Sequence, residues 1–290
     1  MDVENMENWV ETMVDDLLSR HRLKGGVCLF LGAADTGKTS LAAALAERLA
    51  SAGPVAFVDA DTGQSHIGPP AAVGCCVLDS PCGDLAARNA EAIAFVGDVT
   101  PVGHLLQFTA ALGQCLACVR TKADTTLIDT PGLVCGGAAA ALWWTVYRIV
   151  RPAVIIALQR QSELEPILAG LDRFDAPIAR IRTPAALGVK TPEQRRRHRI
   201  HQFADYFRHA ALLPLNLAEV AVQSGRVITD GGCVNRLVAL ADSTSSDIAL
   251  GVVKALDVDR KQATVLTPLR EATNVRCLVI GDATIDLGTP

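Results

Sequence analysis

The octapeptide GAADTGKT, Gly32 to Thr39, has the spacing G-x-x-x-x-G-K-[ST] and follows the apolar run GVCLFL. That combination suits one task, holding a chain of phosphates. Small residues let backbone N–H groups face the anion, Lys38 adds a cation toward its outer phosphates, and the Thr39 hydroxyl can ligand Mg²⁺. Gly32, Ala33, Ala34, Asp35, Thr36, Gly37, Lys38, Thr39 and Ser40 are the expected nucleotide-binding residues, with ATP and Mg²⁺ the expected cofactors. One strand further on, DADTGQSHIGPP begins with Asp59 and Asp61 directly after PVAFV. Strands seldom end on charges without cause, so these acids mark a second place where chemistry is expected.

Two more segments carry functional residue types. LIDTPG, containing Asp129 to Gly132, looks like the D-x-x-G switch of a GTPase, but such an enzyme also needs an N/T-K-x-D motif on a later strand. The sole candidate, TKAD at Thr121 to Asp124, precedes the TTLID strand and counts against that reading. TPEQRRRHRIHQFADYF reads as a helix with Thr191 as N-cap and Pro192 at its first position. Arg195 and Arg199, four apart, then share a face with Arg196 beside them. A plain solvated basic face is the bland alternative.

These segments need elements to position them. Short apolar runs predict strands at about 26–31, 54–59, 92–97, 125–129, 153–158 and 177–182. Helical stretches fall between them: one after the phosphate loop closing at Gly53, then about 101–120, 137–149, 162–171 and 191–208. Strands alternating with helices predict an α/β domain with a mostly parallel sheet covered on both faces. After Pro214, runs such as VAVQSGRVI, RLVALAD, IALGVVKALDV and VRCLVIGDATIDLG predict a small β domain. The expected division is an N-terminal helix over 1–24, an α/β domain over 25–214 and a β domain over 215–290.

The chain has 290 residues, half of them hydrophobic, and a formal charge of −4. It lacks an apolar run of about 18 residues, so neither a membrane span nor a secretory signal is expected, and the cytoplasm is the expected compartment. Most of the nine cysteines lie in apolar surroundings and read as reduced core residues. Cys115 and Cys118 have ligand spacing, but no second pair lies at zinc-site distance. The charge also excludes a broad electrostatic footprint on nucleic acid.

Taken in order, GAADTGKT, VDADTGQSHIGPP, FVGDVTPVGHLL, LIDTPGLVCGG, VIIALQRQSELEPIL and RRRHRIHQFADYF resemble the polynucleotide 5'-hydroxyl kinase family. These are P-loop kinases related to the RNA kinases of pre-mRNA cleavage factor and of ribosomal and transfer RNA processing. With only about 25 residues before the first strand, the chain looks like the compact bacterial or archaeal form. The resemblance implies transfer of the ATP γ-phosphate to the 5'-hydroxyl of RNA or DNA. It implies Asp61 as general base, Gln64 orienting the hydroxyl or a metal-bound water, and Asp59 supporting Mg²⁺ by holding Thr39, with Asp129 also in the metal set. Arg195, Arg196 and Arg199 become candidate arginines of a lid, and Gln159 and Arg160 lie near where the fold would hold adenine, or else in a plain loop. The GDVTPVGH loop offers backbone donors to the acceptor or is a simple cap, and His66 with Pro69 and Pro70 shapes the acceptor path or a solvated turn. Phe203, Tyr206 and Phe207 are expected to pack the lid helix, and Trp143 and Trp144 to be core or interface residues.

One departure stands out. Where the family grips RNA through Thr-x-Gly-Trp, this chain has Thr130-Pro131-Gly132-Leu133, without the aromatic face that stacks a base. Two alternatives follow: an ATP-binding adaptor of nucleic-acid processing with little turnover, and a kinase for a small hydroxylated acceptor.

Overall fold

The computed structural model describes residues 3–21, 23–81, 83–225 and 232–285. Helix α1 (Val3–Arg20) leads into β1 (Gly26–Gly32), α2 (Lys38–Ala50), β2 (Val55–Asp59), β3 (Ala72–Leu78) and β4 (Ala92–Phe95). Then come α3 (Leu105–Val119), β5 (Thr125–Asp129), α4 (Gly136–Val150), β6 (Val154–Gln159), α5 (Glu165–Leu171), β7 (Ile178–Arg182) and α6 (Pro192–Tyr206). These strands make a seven-stranded sheet in the order β4-β3-β2-β5-β1-β6-β7.

Period-two alternation divides the apolar strands between two helical layers. Cys28 and Phe30 of β1, with Val55 and Phe57 of β2, face α1 and α2. Leu29, Leu31, Ala56 and Val58 face α3, α4 and α5. Since both faces are covered, the inner parallel strands β1, β2, β5 and β6 are buried almost throughout.

The pairs β2–β5, β5–β1, β1–β6 and β6–β7 are parallel, whereas β3 runs antiparallel between β2 and β4. The sequence gives no strand for AVGCCVL, because glycine and small residues weaken its β signal. Gly74 is nevertheless required there: a Cβ would lie 1.9 Å from the Ile67 carbonyl oxygen, so the loop carrying Asp61 can cross β3 closely only over glycine.

The second sheet comprises β8 (Ala211–Asn216), β9 (Ala221–Ser224), β10 (Arg236–Ala241), β11 (Asp247–Asp257), β12 (Gln262–Thr267) and β13 (Cys277–Thr284), in the order β8-β12-β11-β10-β13-β9. Strand β8 crosses the expected boundary between 214 and 215. The strand runs through Pro214 because β8 is an edge strand, where a missing N–H is tolerated. The ends of VAVQSGRVI and VRCLVIGDATIDLG fall outside the described residues.

One face of this second sheet packs on the first domain. Phe203 and Phe207 of α6 join Phe95, Leu237, Ala239, Leu250 and Val252 in one buried cluster, and the Leu250 N–H donates to the Tyr206 hydroxyl at 2.9 Å. The C-terminal end of α6 is thereby anchored, while its arginine-bearing end lies elsewhere. Among the described residues no helix is long and apolar enough to cross a membrane.

Candidate active site

Strand β1 ends at Gly32, and the phosphate-loop sequence turns tightly into α2. A Cβ on Gly32 would come within 2.6 Å of Thr36 Oγ1 and 2.7 Å of the Leu158 carbonyl, and Gly37 has φ 88°, a conformation glycine adopts without strain. Lys38 is buried, its Nζ donating to the Ala33 carbonyl at 2.9 Å, where the Thr36 hydroxyl also donates. Gly132 packs so closely on this loop that a Cβ would meet Ala34 N at 2.4 Å, which places Leu133 in the same cleft.

Neighbouring strands β2 and β5 are in register at Asp59 and Asp129, so two carboxylates end side by side. Their partners differ. Asp129 accepts from the Thr39 hydroxyl at 2.5 Å and from the Thr130 N–H at 3.0 Å. Asp59 accepts from the N–H groups of Asp61 at 3.1 Å, His66 at 2.5 Å and Ile67 at 3.0 Å. The Thr39 hydroxyl, expected beside Asp59, is thus held by Asp129, because β5 lies between β2 and β1 and is the strand nearer the phosphate loop. Burial pushes the Asp129 carboxyl up to about 6 against the opposing pull of Lys38. Burial and the neighbouring Asp129 raise Asp59 well above the usual carboxylate range.

Asp59 folds the loop that presents Asp61. Asp61 in turn accepts from the N–H groups of Gly63 and Gln64 through Oδ1, at 3.0 and 3.1 Å, and lines the cleft with Gln64 and His66.

Helix α6 begins with a capping box: Thr191 Oγ1 accepts from Gln194 N and the Gln194 side chain accepts from Thr191 N. Arg195 and Arg199 face the cleft and Arg196 is exposed. Arg195 pairs with Asp35 of the phosphate loop at 2.5 Å, its backbone carbonyl accepts from Gln64 Nε2 at 3.5 Å, and Lys190 Nζ donates to Gln64 Oε1 at 3.3 Å. Gln202 donates to the Ser65 carbonyl, and the His198 and His66 rings lie 6.1 Å apart. Burial and Lys190 hold both imidazoles below their ordinary pKa, and burial with Arg195 and Arg196 nearby lowers Arg199. The cleft between loop, acids and lid has a volume of about 690 Å³.

A family model described as mRNA cleavage and polyadenylation factor CLP1 P-loop matches residues 32–209, from the end of β1 through the lid helix. The chain belongs to the CLP1 P-loop family. It is 27% identical to a polyribonucleotide 5'-hydroxyl-kinase of Pyrococcus furiosus, over 87% of this chain and 86% of that one. It is 24% identical to a polyribonucleotide 5'-hydroxyl-kinase of Methanocaldococcus jannaschii, over 89% and 86%. The fold is that of Clp1p in a solved Clp1p–Pcf11p complex, with TM-score 0.68 at 12% identity, covering 97% of this chain and 79% of that one.

Within that family setting the residues fit a nucleoside triphosphate. The loop amides, a buried lysine and a hydroxyl tied to a strand-end carboxylate form its cradle, and Mg²⁺ beside phosphates takes only one or two protein carboxylates. Two buried carboxylates with raised pKa are what a cation would relieve. Gln159 is buried between Glu165 and the Leu164 N–H, and Arg160 donates to the Asp35 carbonyl at 2.6 Å and the Leu187 carbonyl at 3.3 Å.

The sequence alone did not single out His198, Gln202 and Lys190 as contacts between the α6 region and the acid loop, nor Asp35 as the partner of Arg195 on the phosphate loop. A helical wheel offers a signal for two of them, since positions 195, 198, 199 and 202 share one face of α6.

Proposed function

We propose that this protein is an ATP-dependent polynucleotide 5'-hydroxyl kinase acting on RNA, with Mg²⁺ as its metal. The observation that carries the reading is that Asp61, Lys38 and the lid arginines Arg195 and Arg199 line one cleft. ATP supplies the transferable γ-phosphoryl group and Mg²⁺ the countercharge. The loop from Gly32 to Ser40 binds the phosphates through backbone N–H groups, and Lys38 neutralises the outer ones. Thr39, oriented by Asp129, is the metal-facing hydroxyl, while Asp59 supports the metal side only indirectly, by fixing the acid loop. Asp61 takes the proton from the acceptor's 5'-hydroxyl, and Gln64 orients that hydroxyl. Arg195 and Arg199 place cations over the migrating phosphoryl, where positioning and charge stabilisation supply most of the rate.

The names of the archaeal relatives support RNA as the acceptor class. Incubation with γ-labelled ATP, Mg²⁺ and matched 5'-hydroxyl RNA and DNA oligonucleotides tests the activity, with label expected at the RNA 5' end. Tight ATP binding without transfer to either would instead identify an adaptor. Asp61→Asn is expected to lower kcat by about 10²- to 10⁴-fold with ATP affinity unchanged. Near-normal turnover in that variant would reassign the base.

A further inference from the structure

Trp143 and Trp144 have opposite fates on α4. Trp143 is buried, its indole N–H donating to the Leu133 carbonyl at 2.6 Å, whereas Trp144 is 42% exposed. Beside Trp144 lies Phe174, 41% exposed, with ring centroids 5.2 Å apart, and Tyr147 packs on the same phenyl ring at 5.1 Å. Tyr147 packs against the core beneath, while Trp144 and Phe174 turn much of their rings to solvent.

Its surroundings say what kind of ligand it suits. Helix α4 contains no acidic residue, and Arg148, one turn beyond Trp144, and Arg151 are exposed, as is Arg173 next to Phe174. Among the described residues none of these three arginines has a carboxylate within salt-bridge distance, while Asp172 nearby pairs with Arg180. In a chain of net charge −4, three guanidinium groups without an ion pair among the described residues, against the single unpaired carboxylate Asp175 next to Phe174, make the segments that carry these rings locally basic. Flat π-faces combined with cations that track a backbone are the chemistry of single-stranded nucleic-acid binding.

The placement links this patch to the cleft. Helix α4 starts three residues after Leu133, and with a rise of 1.5 Å per residue Trp144 lies about 12 Å along it from Gly136. The exposed residues between them on α4 are small, namely Gly137, Ala140 and Ala141, so the helix itself raises no bulky side chain along that path. We infer that Trp144 and Phe174, flanked by Arg148, Arg151 and Arg173, form a second contact for the single-stranded acceptor, holding nucleotides downstream of the 5' end. The inference rests on the kinase reading and also supplies what Leu133 lacks, since grip lost at the first base is recovered further along the strand.

Binding is measured by fluorescence anisotropy with a labelled 5'-phosphorylated single strand of about a dozen nucleotides, as RNA and as DNA. Trp144→Ala is expected to weaken binding about fivefold or more, with Trp144→Phe largely restoring it. Arg148→Ala is expected to lower the salt dependence by about one counterion. In the transfer assay, wild-type KM for the acceptor should fall as the oligonucleotide lengthens. Trp144→Ala should flatten that trend while leaving kcat and KM for a dinucleotide unchanged, which also shows that the variant is folded. Normal long-strand affinity in Trp144→Ala, or a wild-type KM independent of length, would overturn the inference while leaving the kinase reading intact. Self-association of the protein that Trp144→Ala abolishes, without loss of strand binding, would overturn it in favour of a protein interface. If no oligonucleotide is phosphorylated but the strand still binds through Trp144, the activity reading fails and the patch stands.

Discussion

The phosphate-loop side of the cleft and the lid face each other, yet they are held by different kinds of contact. On the loop side the main contacts are buried and local: Lys38 and Thr36 on the Ala33 carbonyl, Asp129 on Thr39 and Thr130, Asp59 on three backbone amides. The lid rests on side chains, namely Arg195 with Asp35, Gln202 with Ser65 and His198 near His66. Buried polar atoms without a protein hydrogen-bond partner occur among these contacts, at Arg195 Nε, His198 Nε2, Gln202 Oε1 and His66 Nδ1, and also at Thr62 Oγ1 of the acid loop. Part-buried side-chain contacts hold less firmly than buried, backbone-anchored ones, so α6 is the part expected to open. Fixing α6 at its far end by Phe203, Tyr206 and Phe207 gives that motion a pivot.

The sharpest way to break the contrast is to disable one side and ask whether the other responds. Lys38→Ala should reduce transfer by about two to three orders of magnitude and weaken ATP binding, without changing the protease sensitivity of α6 in the nucleotide-free protein. Loss of lid protection in that state would mean that the two sides are one cooperative unit. Next in size, Arg195→Ala with Arg199→Ala should lower kcat by about tenfold or more while ATP affinity changes less, and Arg196→Ala should stay near wild type. Equal losses for Arg196 and Arg199 would show that the lid reorients before it acts.

The buried acid pair gives a pH-dependent test. Because burial raises the Asp129 carboxyl from 3.8 to about 6, its contribution to stability is full below about 3.8 and is lost as pH rises through 6. In metal-free protein that loss is on the order of 3 kcal/mol. Urea unfolding in a chelator should show wild type losing more stability between pH 4 and 7 than Asp129→Asn. Parallel profiles would mean that Asp129 is ionised without cost. The smallest effect is expected at Leu133→Trp, where an added stacking face should lower the acceptor KM by about tenfold and leave kcat near wild type. An unchanged KM would imply that the first base does not reach position 133.

Much of the α/β architecture was readable because β1, β4, β5, β6 and β7 are each followed by a helix, some with clear end signals such as Gly53 after α2 or Thr191 and Pro192 before α6. Strand β3 was not, since AVGCCVL owes its strand state to pairing on both sides rather than to β-branched side chains. Lys38, Asp61, Gln64, Arg195 and Arg199, singled out by residue type and spacing, come together as lining of one cleft. The partner of Thr39 was not readable, because strand order is a long-range property. Nor could neighbouring tryptophans be told apart, as burial at 143 and exposure at 144 depend on which neighbours α4 meets.

By itself, then, the sequence determined the phosphate loop, the acid loop and the arginine helix, each of which is a local pattern of residue types with a local physical reason. The tertiary structure decided the rest. By inserting β5 between β1 and β2 it gave Thr39 to Asp129 and left Asp59 to fold the loop beneath Asp61. It also brought α6 down onto Asp35, Ser65 and His66, contacts spanning well over a hundred residues that no local pattern encodes.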